Sequence, residues 1–443
     1  MGDKKTTGKG FHPIEVKRDH ARPRGRPQPS ISKVEAALDQ LFLPAAHALS
    51  GYYRSLGLRW RILSLPVMLA AVLSLVWRQI PSVRVLSQML SRESLLWNAP
   101  RKVSQQALDQ RLRCLPAALF GEVLEQALPQ LHSRSLERSR PQPAAIGRAR
   151  RHFQHLWLLD ASTLEALFHK VGALRDTSGV VLGGKLMALL DLATKLPVKL
   201  WLDEDSSANE MTFLDRVKPL LSPATLLIFD LGLYAFPFFD WLTDNQVSFI
   251  TRAKSRGAFK VKAVLYSSAH VQDRIVQFGQ YASNPCQHPL RLLEVCHGGR
   301  WFRYLTNVLD PKVLWAADVV SLYARRWRIE EAFCHTKRLL GLSYLWSGAH
   351  NAIQMQVWAT FMFYCVLVDL CDEVAEILDL PLDNISIEMV FRGLYHYGVA
   401  CQHGLADDPA RYLAAQDDLG IVKAKRRWTM PDYLAELPTP ANL

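Results

Sequence analysis

The sequence predicts an α/β domain at residues 152–343 with helical regions on both sides, and three observations support this. Short apolar runs between residues 155 and 252 alternate with helical segments in the order strand, strand, strand, helix, strand, helix, strand. Four further short runs within about residues 254–312 predict a β-rich insertion. A helix with an apolar edge then spans Leu322–Leu340. This order is that of the ribonuclease-H-like fold of the retroviral-integrase type, whose closing element is a helix.

The individual elements follow from local patterns. Buried strands are short continuous apolar runs, whereas helices show apolar residues three or four positions apart. The predicted core strands are His155–Asp160, Lys185–Thr194, Pro197–Leu202, Ala224–Asp230 and Val247–Arg252, and the core helices are Ser206–Leu221 and Phe236–Leu242. The predicted strands of the insertion are Phe259–Leu265, Asp273–Phe278, Leu290–Val295 and Trp301–Thr306. The first and fourth core strands therefore both end in an aspartate.

The flanking regions differ from this core in composition. Residues 1–35 are rich in Lys, Arg, Pro and Gly without apolar periodicity, which predicts a disordered basic tail. Residues 36–133 show helical periodicity. Residues 134–151 contain six arginines with Pro141 and Pro143, which predicts an exposed linker. Residues 344–443 are predicted to be helical again.

Two short helices in the N-terminal region resemble a helix-turn-helix motif. The segments Val83–Leu90 and Gln105–Arg113 flank a polar break that we interpret as a tight turn, and Ser104 is placed to cap the second helix. Any small helical bundle has a similar pattern, so a purely structural role is the alternative. The candidate DNA-binding residues of this region are Arg101, Lys102, Arg111 and Arg113.

The formal net charge of +12 favours a polyanionic partner. Nucleic acid is the first candidate, although anionic membranes or ribosomes would select the same sign. The seven cysteines form no Cys-x-x-Cys pair and the first residues lack an apolar signal region, so we expect reduced thiols in a cytosolic protein. Two apolar stretches, Ile62–Trp77 and Met355–Leu370, are short for a membrane span. We interpret both as buried core helices and expect no membrane contact.

A row of polar side chains lies on one face of the closing helix. At about 100° per residue, Tyr323, Arg326, Glu330 and Lys337 fall within an arc of roughly 60°, beside an apolar edge. Carboxylates bind hard cations, whereas Arg, Lys and Tyr hydroxyl groups bind phosphate. A salt-bridged surface helix is the alternative interpretation of such a row.

Three acidic residues are expected to converge at one edge of the sheet. Asp160 and Asp230 end buried strands, and Glu330 lies on the helix that packs against them. Clustered carboxylates repel one another, and divalent cations relieve this repulsion. We therefore predict a site for two Mg²⁺ or Mn²⁺ ions, about 3.5–4 Å apart, held by all three. Taken singly, Asp160 could be a helix cap, Asp230 a turn residue before Gly232, and Glu330 a surface glutamate.

The pattern Tyr-x2-Arg-x3-Glu-x6-Lys, formed by Tyr323, Arg326, Glu330 and Lys337, resembles the signature of bacterial DDE transposases of the insertion sequence 4 family. The blocks Leu-Leu-Asp160-Ala-Ser-Thr and Phe-Asp230-Leu-Gly-Leu-Tyr are similar to its two earlier acidic motifs. The resemblance covers roughly residues 80–375. Leu231 departs from it, because a polar or basic residue is common at that position.

The resemblance implies a metal-dependent cut-and-paste transposase that cuts at the element ends and joins the freed 3′-hydroxyl to target DNA. It implies double-stranded DNA as partner (terminal inverted repeats and target), a homodimer in the synaptic complex and a bacterial cytoplasmic, nucleoid-associated location. Tyr323, Arg326 and Lys337 would contact phosphates beside the scissile bond. A base flipped from a hairpin intermediate would stack on Trp301 or Phe302, although either ring could be a core residue. The alternatives are a nuclease of the same fold without strand transfer and a catalytically silent DNA-binding derivative.

Overall fold

The computed structural model describes residues 30–58, 61–163, 185–203, 209–254, 257–279, 284–340, 346–347 and 349–424. Its centre is a nine-stranded mixed sheet with the strand order β3-β2-β1-β4-β5-β9-β8-β7-β6. The strands are β1 (His155–Thr163), β2 (Lys185–Asp191), β3 (Pro197–Asp203), β4 (Thr225–Phe229), β5 (Ser248–Arg252), β6 (Phe259–Ser267), β7 (Val271–Phe278), β8 (Leu290–His297) and β9 (Arg300–Thr306).

The sheet contains both parallel and antiparallel strand pairs. Strand β1 pairs parallel with β4, and β4 pairs parallel with β5, whereas β1–β2 and β2–β3 are antiparallel. Residues 254–312, predicted to form a β-rich insertion, contain strands β6 to β9. This insertion does not form a separate sheet, because β9 pairs antiparallel with β5 through Ile250↔Thr306 and Arg252↔Tyr304. The insertion therefore continues the core sheet edge to edge.

Helices cover most of the remaining described chain. They are α1 (Ser32–Ala48), α2 (Ser50–Ser55), α3 (Leu65–Trp77), α4 (Val83–Arg92), α5 (Gln105–Cys114), α6 (Ala118–Glu137), α7 (Ala144–Ala149), α8 (Leu214–Val217), α9 (Phe236–Asp244), α10 (Ala316–Ala324), α11 (Trp327–Cys334), α12 (His350–Ile377), α13 (Ile387–Gln402) and α14 (Pro409–Ala414). Short 3₁₀ segments flank α8 at Glu210–Phe213 and Lys218–Leu220.

The two faces of the sheet lie in different apolar cores, because side chains alternate along each strand. Leu156 and Leu158 of β1 belong to the larger core, which also contains the buried faces of α1, α3, α6 and α12. Trp157 and Leu159 face the smaller core, which contains α9. The long apolar helix α12 contacts α3, α5 and α6, so the N-terminal and C-terminal helices pack together on one face of the sheet.

Several predicted boundaries differ from the structure. Strand β1 continues past Asp160 to Thr163, because β2 pairs with it as far as Lys185. Strand β2 ends at Asp191 instead of Thr194, where the Asp191 carboxylate accepts hydrogen bonds from the next turn. The helix predicted at Ser206–Leu221 is a chain of short helical segments from Glu210, and residues 204–208 lie outside the described residues.

The segment predicted as an exposed linker is held against the rest of the molecule. Arg138 and Arg140 pair with Asp372 of α12, and Arg148 donates to both carboxylate oxygens of Asp318 at 2.9 and 2.6 Å. The prediction that this segment is exposed is wrong, because these arginines pair with buried carboxylates that lie far away in the sequence. The division of the chain into domains stays a prediction.

The N-terminal predictions are partly outside the described residues. Residues 1–29 of the predicted tail lie outside them, and α1 already begins at Ser32. The predicted cap is confirmed, since the Ser104 hydroxyl accepts a hydrogen bond from the Ala107 amide at 3.2 Å. The tight turn is wrong, because α4 and α5 are joined by a longer connection from Glu93 to Ser104 with an internal bridge between Leu95 and Asn98.

Both apolar stretches that could suggest a membrane span lie in core helices. All residues of α3 are buried, and so are most of those of α12. Within the part of the chain that the structure describes, no helix is both long and apolar enough to cross a bilayer.

A buried ion pair joins the insertion to the chain that leads into α10. Arg291 is fully buried, donates to both oxygens of Asp273 at 2.8 and 2.6 Å, and donates to the Leu314 carbonyl at 2.6 Å. We expect Asp273→Ala to lower the free energy of unfolding by about 3–5 kcal/mol, because it leaves a buried guanidinium without its counter-ion. Urea denaturation followed by far-ultraviolet circular dichroism measures this.

Asp215→Ala is the matched control, since Asp215 is exposed and pairs with Lys218 at 3.3 Å on the surface. Its loss should cost less than about 0.5 kcal/mol. Equal losses for the two variants would contradict a stabilising role for the buried pair.

Candidate active site

The strand ends bring two of the predicted acids together. The parallel pairing of β1 and β4 stops at Leu159↔Phe229, so Asp160 and Asp230 are the next residues of neighbouring strands. By strand alternation both carboxylates lie on the face of the larger core. Asp230 Oδ1 accepts a hydrogen bond from the Gly232 amide at 2.8 Å, and Asp160 Oδ1 accepts one from the Ala161 amide at 2.8 Å. Both side chains are thus oriented by backbone donors.

The closing helix is interrupted where its polar row begins. The sequence predicts one continuous helix over Leu322–Leu340, and this is wrong. Helix α10 ends at Ala324 and α11 starts at Trp327, with a tighter turn between them. The backbone amides of Arg326, Arg328 and Ile329 each donate to the carbonyl three residues earlier, at 2.9, 2.9 and 3.1 Å. A π-helical turn, His335–Leu339, follows α11.

Arg326 lies between all three predicted acids. Its Nη1 atom is 2.6 Å from Asp160 Oδ2, and its Nη2 atom is 2.9 Å from Glu330 Oε1 and 3.8 Å from Asp230 Oδ2. The residue is only 6 % exposed, and its buried Nε atom has no hydrogen-bond partner among the residues that the structure describes. The structure therefore brings β1, β4 and α11 together around one guanidinium group.

Burial and the neighbouring charges shift the pKa values of Asp160 and Arg326. Burial raises the pKa of Asp160 to about 7, with Asp230 and Glu330 adding to the rise and Arg326 opposing it. For Arg326, burial lowers the pKa, but the neighbouring carboxylates outweigh this and the net pKa is raised. The guanidinium stays charged, and a cation beside Asp160 favours the ionised form of this acid.

The other two residues of the polar row differ from each other. Lys337 Nζ donates to the Ser162 hydroxyl at 2.5 Å, two residues beyond Asp160, and burial lowers the pKa of this lysine. Tyr323 is 8 % exposed, and its ring packs edge-on against Tyr304. Burial raises the pKa of Tyr323 to about 12. Lys337 thus borders the acids, whereas Tyr323 is mainly packed.

The neighbouring glutamate points elsewhere. Glu331 accepts two hydrogen bonds from Arg328 Nη1, each of 2.7 Å, and lies 3.9 Å from Lys423 Nζ. None of these contacts involves the acids on the sheet. The prediction that Glu330 and not Glu331 faces the strand-end aspartates agrees with this arrangement.

A fourth carboxylate approaches the turn after Asp230. The Glu210 carboxylate lies so close to Gly232 that a Cβ atom at this position would be 2.1 Å from Glu210 Oε2. Lys185 Nζ is 3.5 Å from Glu210 Oε1. A side chain at position 232 would therefore displace the flexible end of Glu210, and the sequence alone did not indicate this contact because Glu210 and Gly232 lie on different segments.

The donor set suits a hard divalent cation. Asp160, Asp230 and Glu330 offer only carboxylate oxygens, and the last two are partly open to solvent, at 44 and 37 % side-chain exposure. Within the described ranges, no group of three His, Cys, Asp or Glu side chains is close enough to hold one ion. The reason is visible in the geometry, since the guanidinium of Arg326 lies between the three acids and already neutralises part of their charge. The chemistry of the donor set therefore matches such an ion, while Arg326 lies in the space between the acids.

The aromatic candidates lie on different surfaces. Trp301 is 47 % exposed, whereas Phe302 is half-buried against the larger core with the Arg252 guanidinium 5.7 Å from its ring centre. Trp327, which the sequence analysis missed, is 61 % exposed, and its ring centre is 5.7 Å from the Arg326 guanidinium. Its position on the helical wheel, roughly 140° from the apolar edge, was a usable signal.

The N-terminal candidates do not share one role. Arg101, Lys102 and Arg113 are exposed. Arg111 instead donates to the Leu63 carbonyl at 3.0 Å and to the Tyr53 hydroxyl, which ties α5 to the chain before α3. Lys102 and Arg111 line a cleft of about 930 Å³ that none of the three acids borders.

Comparison with known proteins relates part of the chain to transposases. Residues 154–366 match the family model described as the transposase DDE domain, a range that contains Asp160, Asp230, Glu330 and Lys337. No curated protein matches the chain. Among solved structures, the chain is similar to a cryo-EM structure of the piggyBac transposase synaptic complex with hairpin DNA, at 12 % identity and a TM-score of 0.40. That similarity covers 92 % of this chain and 90 % of the other, and at this TM-score it adds no weight to the assignment.

Transposases with a DDE domain generally depend on divalent metal ions. The matched range and the convergence of the three acids agree on the same part of the chain. Residues 154–366 therefore match a transposase DDE domain, and the chain is a DNA transposase, an enzyme that cuts DNA and transfers its strands.

Proposed function

We propose that this transposase moves an insertion sequence by a cut-and-paste reaction in which Asp160, Asp230 and Glu330 hold the divalent ions. The observation that carries the proposal is the convergence of these three acids, from β1, β4 and α11, on one guanidinium group. A surface salt-bridge network would not explain why a 6 % exposed arginine serves carboxylates from three separate elements. We infer that Mg²⁺ or Mn²⁺, as two ions, is the cofactor.

The chain's own residues would position the DNA strand. When bound, the ions would supply activation of the attacking oxygen and stabilisation of the leaving oxygen. Arg326 carries a planar fork that matches a phosphate, and Lys337 adds a point charge beside Ser162. Tyr323 packs against Arg326, whose guanidinium lies 5.9 Å from the centre of the tyrosine ring. We assign these three residues to the phosphates next to the scissile bond.

We further propose that the core is ribonuclease-H-like and that the enzyme is of the insertion sequence 4 type. The strand order β3-β2-β1-β4-β5, with β1, β4 and β5 parallel and the first pairs antiparallel, supports the fold. The spacing Tyr323, Arg326, Glu330, Lys337 supports the family type. In this division, residues 36–133 bind DNA, 152–343 are catalytic and 344–443 serve dimerisation.

The DNA partners would be the terminal inverted repeats and the target, bound by a homodimer in the bacterial cytoplasm. The net charge of +12 supports DNA binding, and Arg101, Lys102 and Arg113 are exposed for it. For a base flipped out of a hairpin, the exposed rings of Trp301 and Trp327 support stacking better than the half-buried Phe302. Arg111 has the weakest support, since its guanidinium is engaged within the helical region.

The assay that tests the reaction uses purified protein, labelled linear DNA carrying both element ends, and Mg²⁺. We expect free 3′-hydroxyl ends first and joined target products later, and removal of the metal by a chelator should stop both. Cleavage without joining would identify a nuclease of the same fold. Specific DNA binding without cleavage in Mg²⁺ and Mn²⁺ would identify a silent derivative, and either result would overturn the proposal.

A further inference from the structure

The side of α11 that faces away from the acids carries a second charged cluster. Asp383 is its centre: Arg325 Nη1 lies 2.5 Å from Oδ2, while Lys195 Nζ and Arg328 Nε lie 3.2 and 3.3 Å from Oδ1. Arg328 in turn donates to both oxygens of Glu331. One carboxylate therefore binds three cations from two distant parts of the chain.

Asp383 is held in place on its own side as well. It lies in the 3₁₀ segment Leu382–Asn384, and its side chain is 13 % exposed. Lys195, from the turn between β2 and β3, is 5 % exposed and also donates to the Leu382 carbonyl at 3.0 Å. Burial opposes the charge of Asp383, but Lys195, Arg328 and Arg325 outweigh it and lower its pKa to about 2. The carboxylate is thus ionised at every pH at which DNA is intact.

The two arginines that Asp383 binds lie on either side of Arg326 and Trp327. This is the turn in which Arg326, Arg328 and Ile329 donate to carbonyls three residues earlier. A helix left to its local preferences would keep bonds four residues apart, so a tertiary contact must hold the tighter turn. Among the described residues, the buried Arg325 Nε atom has no hydrogen-bond partner, whereas Arg325 Nη1 donates to Asp383 Oδ2. Asp383 is therefore the group that holds the Arg325 side chain against the protein.

We propose that Asp383 is a positioning residue for transposition, because it holds the turn between α10 and α11 and so aims Arg326 and Glu330 at Asp160 and Asp230. Arg326 and Trp327 are the two residues between the held arginines, and Glu330 lies about one helical turn after Arg326. A small rotation of this turn would move both side chains relative to the strand-end acids. The inference rests on the proposed role of those acids.

The test is single-turnover cleavage by Asp383→Asn at saturating DNA and Mg²⁺. We expect the cleavage rate constant to fall roughly ten- to a hundredfold, because misplacement by about 1 Å has effects of that size. The dissociation constant for DNA should stay unchanged, since Asp383 does not face the DNA side of α11. A purely structural defect would lower the amplitude, which counts folded protein, and would leave the rate constant of the folded fraction as it was.

Arg325→Gln provides a second measurement if Asp383→Asn does not fold, since Asp383 then keeps Lys195 and Arg328. It should lower the same rate constant by roughly tenfold. Glu388→Gln, which breaks an exposed pair with Arg392 on α13, is the control and should cleave at the wild-type rate. A wild-type rate constant in the variants that fold overturns the inference. If Asp230→Asn also cleaves normally, the proposed site has failed; if only the Asp383 and Arg325 variants do, the positioning role alone has failed.

Discussion

Asp230→Asn is expected to abolish cleavage at the element ends, with a loss on the order of a thousandfold or more. Asparagine preserves the size of the side chain and its hydrogen bond from Gly232, but it removes the negative charge that a divalent ion needs. DNA binding should persist, because the exposed cationic side chains are unchanged. Labelled-end cleavage and a gel-shift titration on the same protein measure the two quantities separately.

Asp244→Asn is the matched control, since Asp244 is an exposed aspartate paired with His288 at the end of α9. It should cleave at the wild-type rate. Normal cleavage by Asp230→Asn would contradict the assignment of the site. A loss of DNA binding in parallel with cleavage would instead show that the substitution acts on folding or binding.

Arg326→Gln is expected to change metal binding and catalysis in opposite directions. In the DNA-free protein, Arg326 neutralises the three acids, so its removal should strengthen Mn²⁺ binding on the order of tenfold. Cleavage should nevertheless fall roughly a hundredfold, because the phosphate loses its bidentate partner. Calorimetric titration of Mn²⁺ without DNA gives the first quantity, and single-turnover cleavage gives the second.

The control for this pair of measurements is Arg392→Gln, which removes an exposed arginine paired with Glu388. It should leave both Mn²⁺ affinity and cleavage unchanged. If Arg326→Gln binds Mn²⁺ as weakly as the wild type or more weakly, Arg326 is not a competitor of the metal. That outcome would leave only its phosphate contact to explain the lost activity.

The strand-end acids were predictable because their placement depends on local patterns. Apolar runs identified β1 and β4, and parallel strands bring their carboxyl ends to one edge, so Asp160 and Asp230 had to be neighbours. Glu330 was predictable from helical periodicity, which survives the interruption at Arg326. The cap at Ser104 was equally local.

The remaining features depend on contacts between distant segments. The interruption of the closing helix does not follow from local patterns, and Arg325 and Arg328 there contact Asp383, more than fifty residues away. The arginines of the predicted linker look solvent-exposed in sequence, because their partner Asp372 lies 232 residues beyond Arg140. The position of Arg326 between the acids likewise required the three-dimensional meeting of β1, β4 and α11.

The pairing of β9 with β5 fixes the distance between the outer edge of the insertion and the core sheet. Four strand spacings separate β5 from β6, the outermost strand, which amounts to roughly 19 Å. Backbone hydrogen bonds set each spacing, so the span is stiff and independent of side-chain identity. The outer edge of the insertion is therefore held at a constant distance from the core sheet, and adding or removing one strand would change that distance in a single discrete step.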